Sequence, residues 1–233
     1  MNAPRATQND QTFGSRLLHF LTSFPPPPPL PGDVVAENPY RQEPSRGLLT
    51  QFAQRFYADE RPRVALLGIN PGRFGGGTTG VAFTDPVALG DYCGIASDLP
   101  RRREVSSEFV YRFIDALGGP TAFYEHFYLG SIYPLVLLRH GLNYNYYDSP
   151  ALVRALWPQL LDSLRQQVEI GFRRDVVVSL GRRNAEFLTK LNRELGLFGE
   201  IVTLDHPRYI MQYKRRALEQ HVARYVEVLG GLV

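Results

Sequence analysis

Two residues stand directly behind apolar runs with the chemistry to act on a ligand. The run RVALLGIN ends in Asn70, and IVTLDH ends in His206. A carboxamide orients a water molecule but cannot take its proton at neutral pH, whereas an imidazole offers a hydrogen bond from either ring nitrogen. The glycine-rich stretch that begins at Gly68 closes on Phe83, whose aromatic face can stack on a flat ligand such as a base. Together these suggest a site for a planar heterocycle. Residue type alone leaves a second reading open, in which Asn70 caps a turn, Phe83 sits in the core and His206 is an ordinary surface or satisfied core histidine.

The stretch GINPGRFGGGTTGVAF carries six glycines behind a strand, yet it has no Gly-Lys-Ser/Thr to reach nucleotide phosphates, and the Gly-x-Gly-x-x-Gly spacing of its residues 75–80 does not open directly into a helix. Triphosphate and dinucleotide binding are therefore disfavoured. Pro71 suits a rigid turn ahead of an open loop. After His206, the residues Pro207, Arg208, Tyr209, Met211 and Gln212 combine bulky and basic side chains of the kind that wedge between bases or contact phosphate. The pair Arg182-Arg183 either adds phosphate contacts or forms a plain solvated face.

The pattern around these residues predicts the elements that hold them. Residues 48–57 have helical spacing, 64–69 form a buried strand, and 106–117 form a helix stopped by Gly118-Gly119-Pro120. A strand follows at 127–133, then a loop rich in Asn and Tyr. A long helix begins at Ser149-Pro150 and is bent at Pro158. Strands at 175–180 and 200–204 flank a helix at 184–195, and a last helix covers 215–229. Apolar runs alternating with amphipathic helices imply parallel strands covered on both faces. Ligands of such sheets bind at the carboxyl ends of the strands, where the loops 70–83, 134–147 and 205–213 fall. Residues 1–33 read as a flexible N-terminal segment with a polyproline arm, SFPPPPPLPG, ahead of a single domain over 34–233.

Composition narrows the function classes. The net charge is +3 with a pI near 9.0, and 24 Arg stand against 2 Lys, a balance compatible with a phosphate-bearing partner. A lone Cys93 excludes an internal disulfide and every multi-cysteine metal site, and the five histidines show no ligand-like pairing. No cofactor and no metal are expected. The absence of a signal-like N-terminus and of a spanning apolar run leads us to expect a cytoplasmic protein without a membrane partner. Gly-x-Ser-x-Gly is absent and Cys93 lies outside any strand, which disfavours an α/β hydrolase.

With these residues in view, the chain resembles the uracil-DNA glycosylase superfamily, in its single-strand-selective monofunctional branch and that branch's bacterial second subgroup. GINPGRFGGGTTGVAF is similar to the branch's first motif and HPRYIMQY to the subgroup's second. SSEFVYRFIDALGGPTAFYEHFYLGSIYPL and GLNYNYYD add to the match, which covers about residues 34–229. The resemblance implies a three-layer α/β/α sandwich with a short, mostly parallel four-stranded central sheet. It implies that Asn70 positions the attacking water, that His206 contacts uracil O2, and that Phe83 stacks on the extruded base. Ile69, Pro71, Gly72, Phe74 and Gly80 would line the base pocket. Ser131 falls where the family carries a base-reading Asn, a departure that puts uracil selectivity in doubt because a hydroxyl lacks the paired donor and acceptor of an amide. Nearby Asn143 or Asn145 would have to compensate. GLNYNYYD lies where relatives meet DNA, so Asn143, Tyr144, Asn145, Tyr146 and Tyr147 are candidate DNA contacts, or else they pack the loop. The implied activity is that of a monomeric, monofunctional DNA repair enzyme that hydrolyses the bond between a damaged base and its sugar. The alternative is a non-catalytic nucleic-acid-binding protein with the same fold.

Overall fold

The structure, a computed structural model, describes residues 12–233. In chain order its elements are α1 Phe13–Ser23, β1 Val34–Glu37, α2 Ser45–Phe56, β2 Arg63–Gly68, α3 Gly76–Thr79, α4 Pro86–Asp91, α5 Val105–Ala116 and α6 Gly119–His126. There follow β3 Phe127–Ser131, β4 Val136–Arg139, β5 Leu142–Asn143, α7 Pro150–Glu169, β6 Phe172–Leu180, α8 Arg182–Leu195, β7 Glu200–Leu204, α9 Pro207–Tyr213 and α10 Leu218–Gly230.

Four strands form a parallel sheet in the order β3-β2-β6-β7. Every residue of β2 is buried, which requires cover on both faces of the sheet. Helices α7 and α8 pack together and on β6, while α6 packs on β2 and β3 and joins α5, which in turn meets α10. The result is the expected three-layer α/β/α sandwich. Register fixes the site: Gly68 pairs with Ser131, Leu67 with Ser179, and Leu180 with Leu204. The carboxyl ends of all four strands therefore open at one edge, and Asn70, Ser131, Gly181 and His206 meet there.

Three expectations need correction. The segment 134–147 is not an irregular loop; β4 and β5 pair antiparallel with each other, and β4 pairs with β1 from the N-terminal part, making a second, three-stranded sheet. Residues 207–213 are helical, with Pro207 in the first turn where its missing N–H costs nothing. The segment 1–33 is not wholly flexible. Its first eleven residues lie outside the described ones, but α1 is capped by the Thr12 hydroxyl and buries Phe13, Leu17, Phe20 and Leu21, with Phe24 just beyond it. The spacing of these residues is helical, and the proline run after them masks it. Where that run begins, the Pro25 and Pro26 carbonyls accept hydrogen bonds from Gln159 Nε2 on α7, so the arm starts on the domain surface.

Helix α1 also completes a buried charge site. Arg63 is fully buried at the start of β2 and donates to Asp59 and to the carbonyls of Tyr124, Arg61 and Phe56. Its guanidinium lies 4.7 Å from the Phe13 ring centroid and 4.8 Å from that of Tyr57. Phe13→Ala removes one of these rings and leaves a cavity over a buried cation, so it is expected to destabilise the fold by about 3–5 kcal/mol. Urea unfolding followed by circular dichroism measures it; a loss below about 1 kcal/mol would mean that α1 does not hold this core.

Candidate active site

A cleft of about 400 Å³ opens at the shared carboxyl edge of the sheet. Asn70, Phe83, Ser131 and His206 all line it. Asn70 is held at both ends of its amide: Oδ1 accepts the Tyr146 N–H at 3.1 Å, and Nδ2 donates to the Tyr144 carbonyl at 3.1 Å. The orientation is thereby set, and a carbonyl oxygen keeps a second lone pair for a further donor. The only chemistry this amide offers is to hold a small hydrogen-bonding molecule in place.

Phe83 sits at φ +53°, a left-handed conformation rare for an aromatic residue. This turns its ring back over the end of β2, where a Cβ on Gly68 would stand 2.7 Å from the ring edge. Only glycine lets the ring and the strand approach so closely. On its other side the ring centroid lies 5.7 Å from that of His206.

His206 caps the N-terminus of α9, and its Nδ1 accepts the Arg208 backbone N–H at 3.1 Å. A nitrogen that accepts carries no proton, so in the neutral ring the proton is on Nε2. Burial, reinforced by the charge of Arg208, lowers the His206 pKa to about 4. At neutral pH the residue is therefore an uncharged Nε2–H donor.

Ser131 ends β3. Its carbonyl accepts from Gln167 Nε2 at 3.2 Å, while its hydroxyl has no hydrogen-bond partner among the described residues and is available to the cleft. Ile69, Pro71, Gly72 and Phe74 line the cleft as expected from the motif. Gly80 does not. It lies in a left-handed turn closing α3, and a Cβ there would meet the Ser45 carbonyl at 2.5 Å, so its role is to pack the loop against α2.

The candidate DNA contacts divide by helical geometry. In α9, Pro207, Ile210 and Met211 face inward and are buried, whereas Arg208, Tyr209 and Gln212 line the cleft together with Tyr213. Pro207 and Met211 are thus core residues rather than contacts, because a period of 3.6 replaces the extended loop assumed for this segment. In the preceding hairpin, Asn143, Tyr144 and Asn145 line the cleft. Asn143 Oδ1 accepts the Arg73 N–H at 2.8 Å, and Asn145 bonds Asp148, so both side chains already brace loops. Tyr146 is fully buried and is not a DNA contact; its hydroxyl donates to Asn184 Oδ1 at 2.9 Å.

Asn184, Glu104 and Ser106 belong to the site without being evident in the sequence. Asn184 donates to the carbonyls of Leu67 and Gly68 and so links Tyr146 to the end of β2. A polar residue on the inward side of the first turn of α8 is the signal that marks it. Glu104 and Ser106 line the cleft from the start of α5. Burial holds the Glu104 carboxyl above its usual pKa, with Arg208 acting against the shift. Among the described residues no group of three or more His, Cys, Asp or Glu side chains is arranged to hold a metal ion, and no helix is long and apolar enough to cross a membrane.

Comparison with known proteins places relatives beside this geometry. The family model for the uracil DNA glycosylase superfamily matches residues 55–230. The single-strand selective monofunctional uracil-DNA glycosylase of Rattus norvegicus is 32% identical over 170 residues, covering 64% of this chain and 59% of the relative. That of Bos taurus is 31% identical over 170 residues, covering 64% and 60%. The chain thus spans about 60% of the length of these curated relatives. The crystal structure of wild-type Pedobacter heparinus SMUG2 superposes with a TM-score of 0.91 at 36% identity, covering 95% of this chain and 98% of that one.

The state of His206 has a measurable signature. Its folded pKa of about 4 lies below the ordinary 6.5, so the unfolded chain binds the proton more readily. The stabilisation is complete above about pH 6.5 and is lost as pH falls toward 4. Nitrogen-detected NMR of the ring is expected to show the Nε2–H tautomer at pH 7 with a midpoint near 4. A midpoint at or above 6.5 would refute the neutral-donor assignment.

Proposed function

Because the chain belongs to the uracil-DNA glycosylase superfamily, we propose that it hydrolyses the N-glycosidic bond of uracil, or of a related deaminated or oxidised base in DNA, leaving an abasic site. The observation that carries this reading is the pairing of a fixed, uncharged Asn70 amide with an uncharged His206 Nε2–H donor in one cleft floored by an aromatic ring.

The bond between a sugar and uracil breaks largely before water attacks, leaving an oxocarbenium-like sugar and negative charge on the base oxygens. Such a sugar reacts with neutral water, so no strong base is needed. Asn70 Oδ1 uses its free lone pair to hold that water. His206 Nε2–H points its dipole at O2, where charge develops, and this interaction strengthens along the reaction coordinate. Phe83 stacks on the base, and the Ser131 hydroxyl meets its edge. The base must first leave its stack, at a cost smallest in single-stranded or mismatched DNA; Tyr209 and Gln212, on the exposed side of α9, are placed to take its room. One chain supplies every group named here, in keeping with action as a monomer. Strand cleavage would require an amine for a Schiff base. Lys190 and Lys214 are both exposed and neither lines the cleft, which supports a monofunctional reaction.

The test is incubation with labelled oligonucleotides bearing a single uracil, followed by alkali. Single-turnover rates are expected to fall about 10²- to 10³-fold in His206→Ala, and by a comparable factor in Asn70→Ala. In the parent protein the rate is expected to stay level from pH 8 to 5 and to fall as pH approaches about 4, since His206 loses its neutral form only there. If uracil, hypoxanthine, xanthine and 5-hydroxymethyluracil all yield no alkali-sensitive break, the catalytic reading fails and a DNA-binding role remains.

A further inference from the structure

The three central groups of the cleft, Asn70, Ser131 and His206, carry no formal charge at neutral pH; Arg208 and Glu104 line it as well, and four further arginines stand over aromatic rings that line it. Phe74, Tyr144 and Tyr147 line the cleft, and each seats an exposed arginine. Arg73 and Arg102 both lie over the Phe74 ring, with their guanidinium carbons 4.6 and 4.2 Å from its centroid. Arg139 lies over Tyr144 at 5.7 Å and Arg183 over Tyr147 at 4.8 Å. The four come from different parts of the chain: the glycine-rich loop, the approach to α5, the end of β4 and the first turn of α8.

None of the four has a carboxylate within ion-pair distance among the described residues, whereas Arg61 and Arg112 are each paired with two and Arg224 with one. Arg73 and Arg102 share one ring, so their charges stand within about 9 Å of each other (the 4.6 and 4.2 Å ring distances end to end), and neither is ion-paired among the described residues. Like charges held this close favour an anion beside them. Seating on a ring also limits the rotamers of a long side chain and orients its N–H edges before a ligand arrives; Arg183 is further fixed by donating from Nη2 to the Tyr147 carbonyl at 3.0 Å, which leaves its other N–H groups for an oxygen. Phosphate matches the guanidinium fork.

We propose that Arg73, Arg102, Arg139 and Arg183 form a collar that grips backbone phosphates of the DNA strand on either side of the extruded nucleotide. The inference rests on the reading that this cleft receives a base from DNA, and it assigns the sequence-independent part of the affinity to the rim. Phosphates stay at the rim, and only the base passes to the uncharged floor.

Fluorescence anisotropy with a labelled, undamaged single-stranded oligonucleotide, repeated over a series of salt concentrations on the full chain, tests the collar. Every phosphate on a single strand that the protein no longer neutralises flattens the slope of log K against log salt by about 0.7. The quadruple variant with all four arginines replaced by Gln is therefore expected to lose about 3 from the slope, while the double control Arg61→Gln with Arg224→Gln keeps it. Phe74→Leu, which removes a seat and no charge, is expected to weaken binding several-fold at unchanged slope. A quadruple variant with the parent slope overturns the collar, as does no binding by the parent or an equal flattening in the control. Unchanged affinity in Phe74→Leu overturns the role of the seat. Undamaged DNA offers no base to excise, so salt-dependent binding without uracil excision would leave the collar standing and remove only the catalytic reading.

Discussion

At the carboxyl end of β2 the Gly68 backbone meets several demands at once, and the site depends on their being met together. The Gly68 carbonyl accepts the Ile132 N–H, which ties β2 to the turn after β3, and also accepts the Asn184 side-chain amide from α8. The Phe83 ring presses against its Cα, in the space a side chain would need. Asn184 in turn takes the Tyr146 hydroxyl, and the Tyr146 backbone N–H holds the Asn70 carbonyl oxygen. A single chain of hydrogen bonds thus runs from the strand end through α8 and the hairpin loop and returns to the side chain two residues past its origin. Because each member is buried or half-buried, a broken link would leave a polar group unpaired, and this makes the arrangement rigid. Asn70 is aimed from outside its own strand.

This network explains which parts of the site are readable in the sequence. Asn70 and His206 follow apolar runs in the order that parallel strands require, and strand ends in such sheets converge, so their meeting is legible from pattern alone. That Phe83 and Ser131 line the same cleft follows from their places, at the close of the loop after β2 and at the end of β3, and the roles proposed for them come from the resemblance to the glycosylase superfamily. Tyr146 is deceptive because it shares a Tyr- and Asn-rich stretch with residues that do face the cleft, and composition does not say which way a side chain turns. Asn184 is joined to its partners across 38 and 117 positions of sequence, a distance no local pattern spans. Glu104 precedes a helix among three arginines and resembles part of a solvated charge run.

The fold is legible for similar reasons and hidden in similar places. The four central strands and the long helices have enough periodic residues to declare themselves. Helix α1 has equally good spacing in Phe13, Leu17, Phe20 and Leu21, but six of the seven residues from Pro25 to Pro31 are proline, and they lend the whole neighbourhood the look of a flexible arm. Strand β1 pairs with β4 across about a hundred residues, and β1, β4 and β5 each contain too few positions to show alternation. In α9, a Pro at the first position is compatible with either a loop or a helix start, and only the burial of Ile210 and Met211 separates them.

The distribution of charge fits what the proposed reaction demands. A substrate base is neutral when it binds and becomes anionic as its bond to the sugar breaks. A fixed cation in the floor would attract phosphate oxygens into the pocket as readily as it would stabilise the departing base. A neutral N–H dipole gains little from the neutral ground state and more from the developing anion, so its contribution falls on the rate and not on initial binding. For His206 to serve in this way, its proton must stay on Nε2 and the ring must not acquire a second one. The Arg208 N–H secures the first condition by occupying Nδ1, and burial beside the Arg208 charge secures the second. Arg208 thus acts through its backbone on the tautomer and through its side chain on the charge, and a helix start of only a few residues sets both.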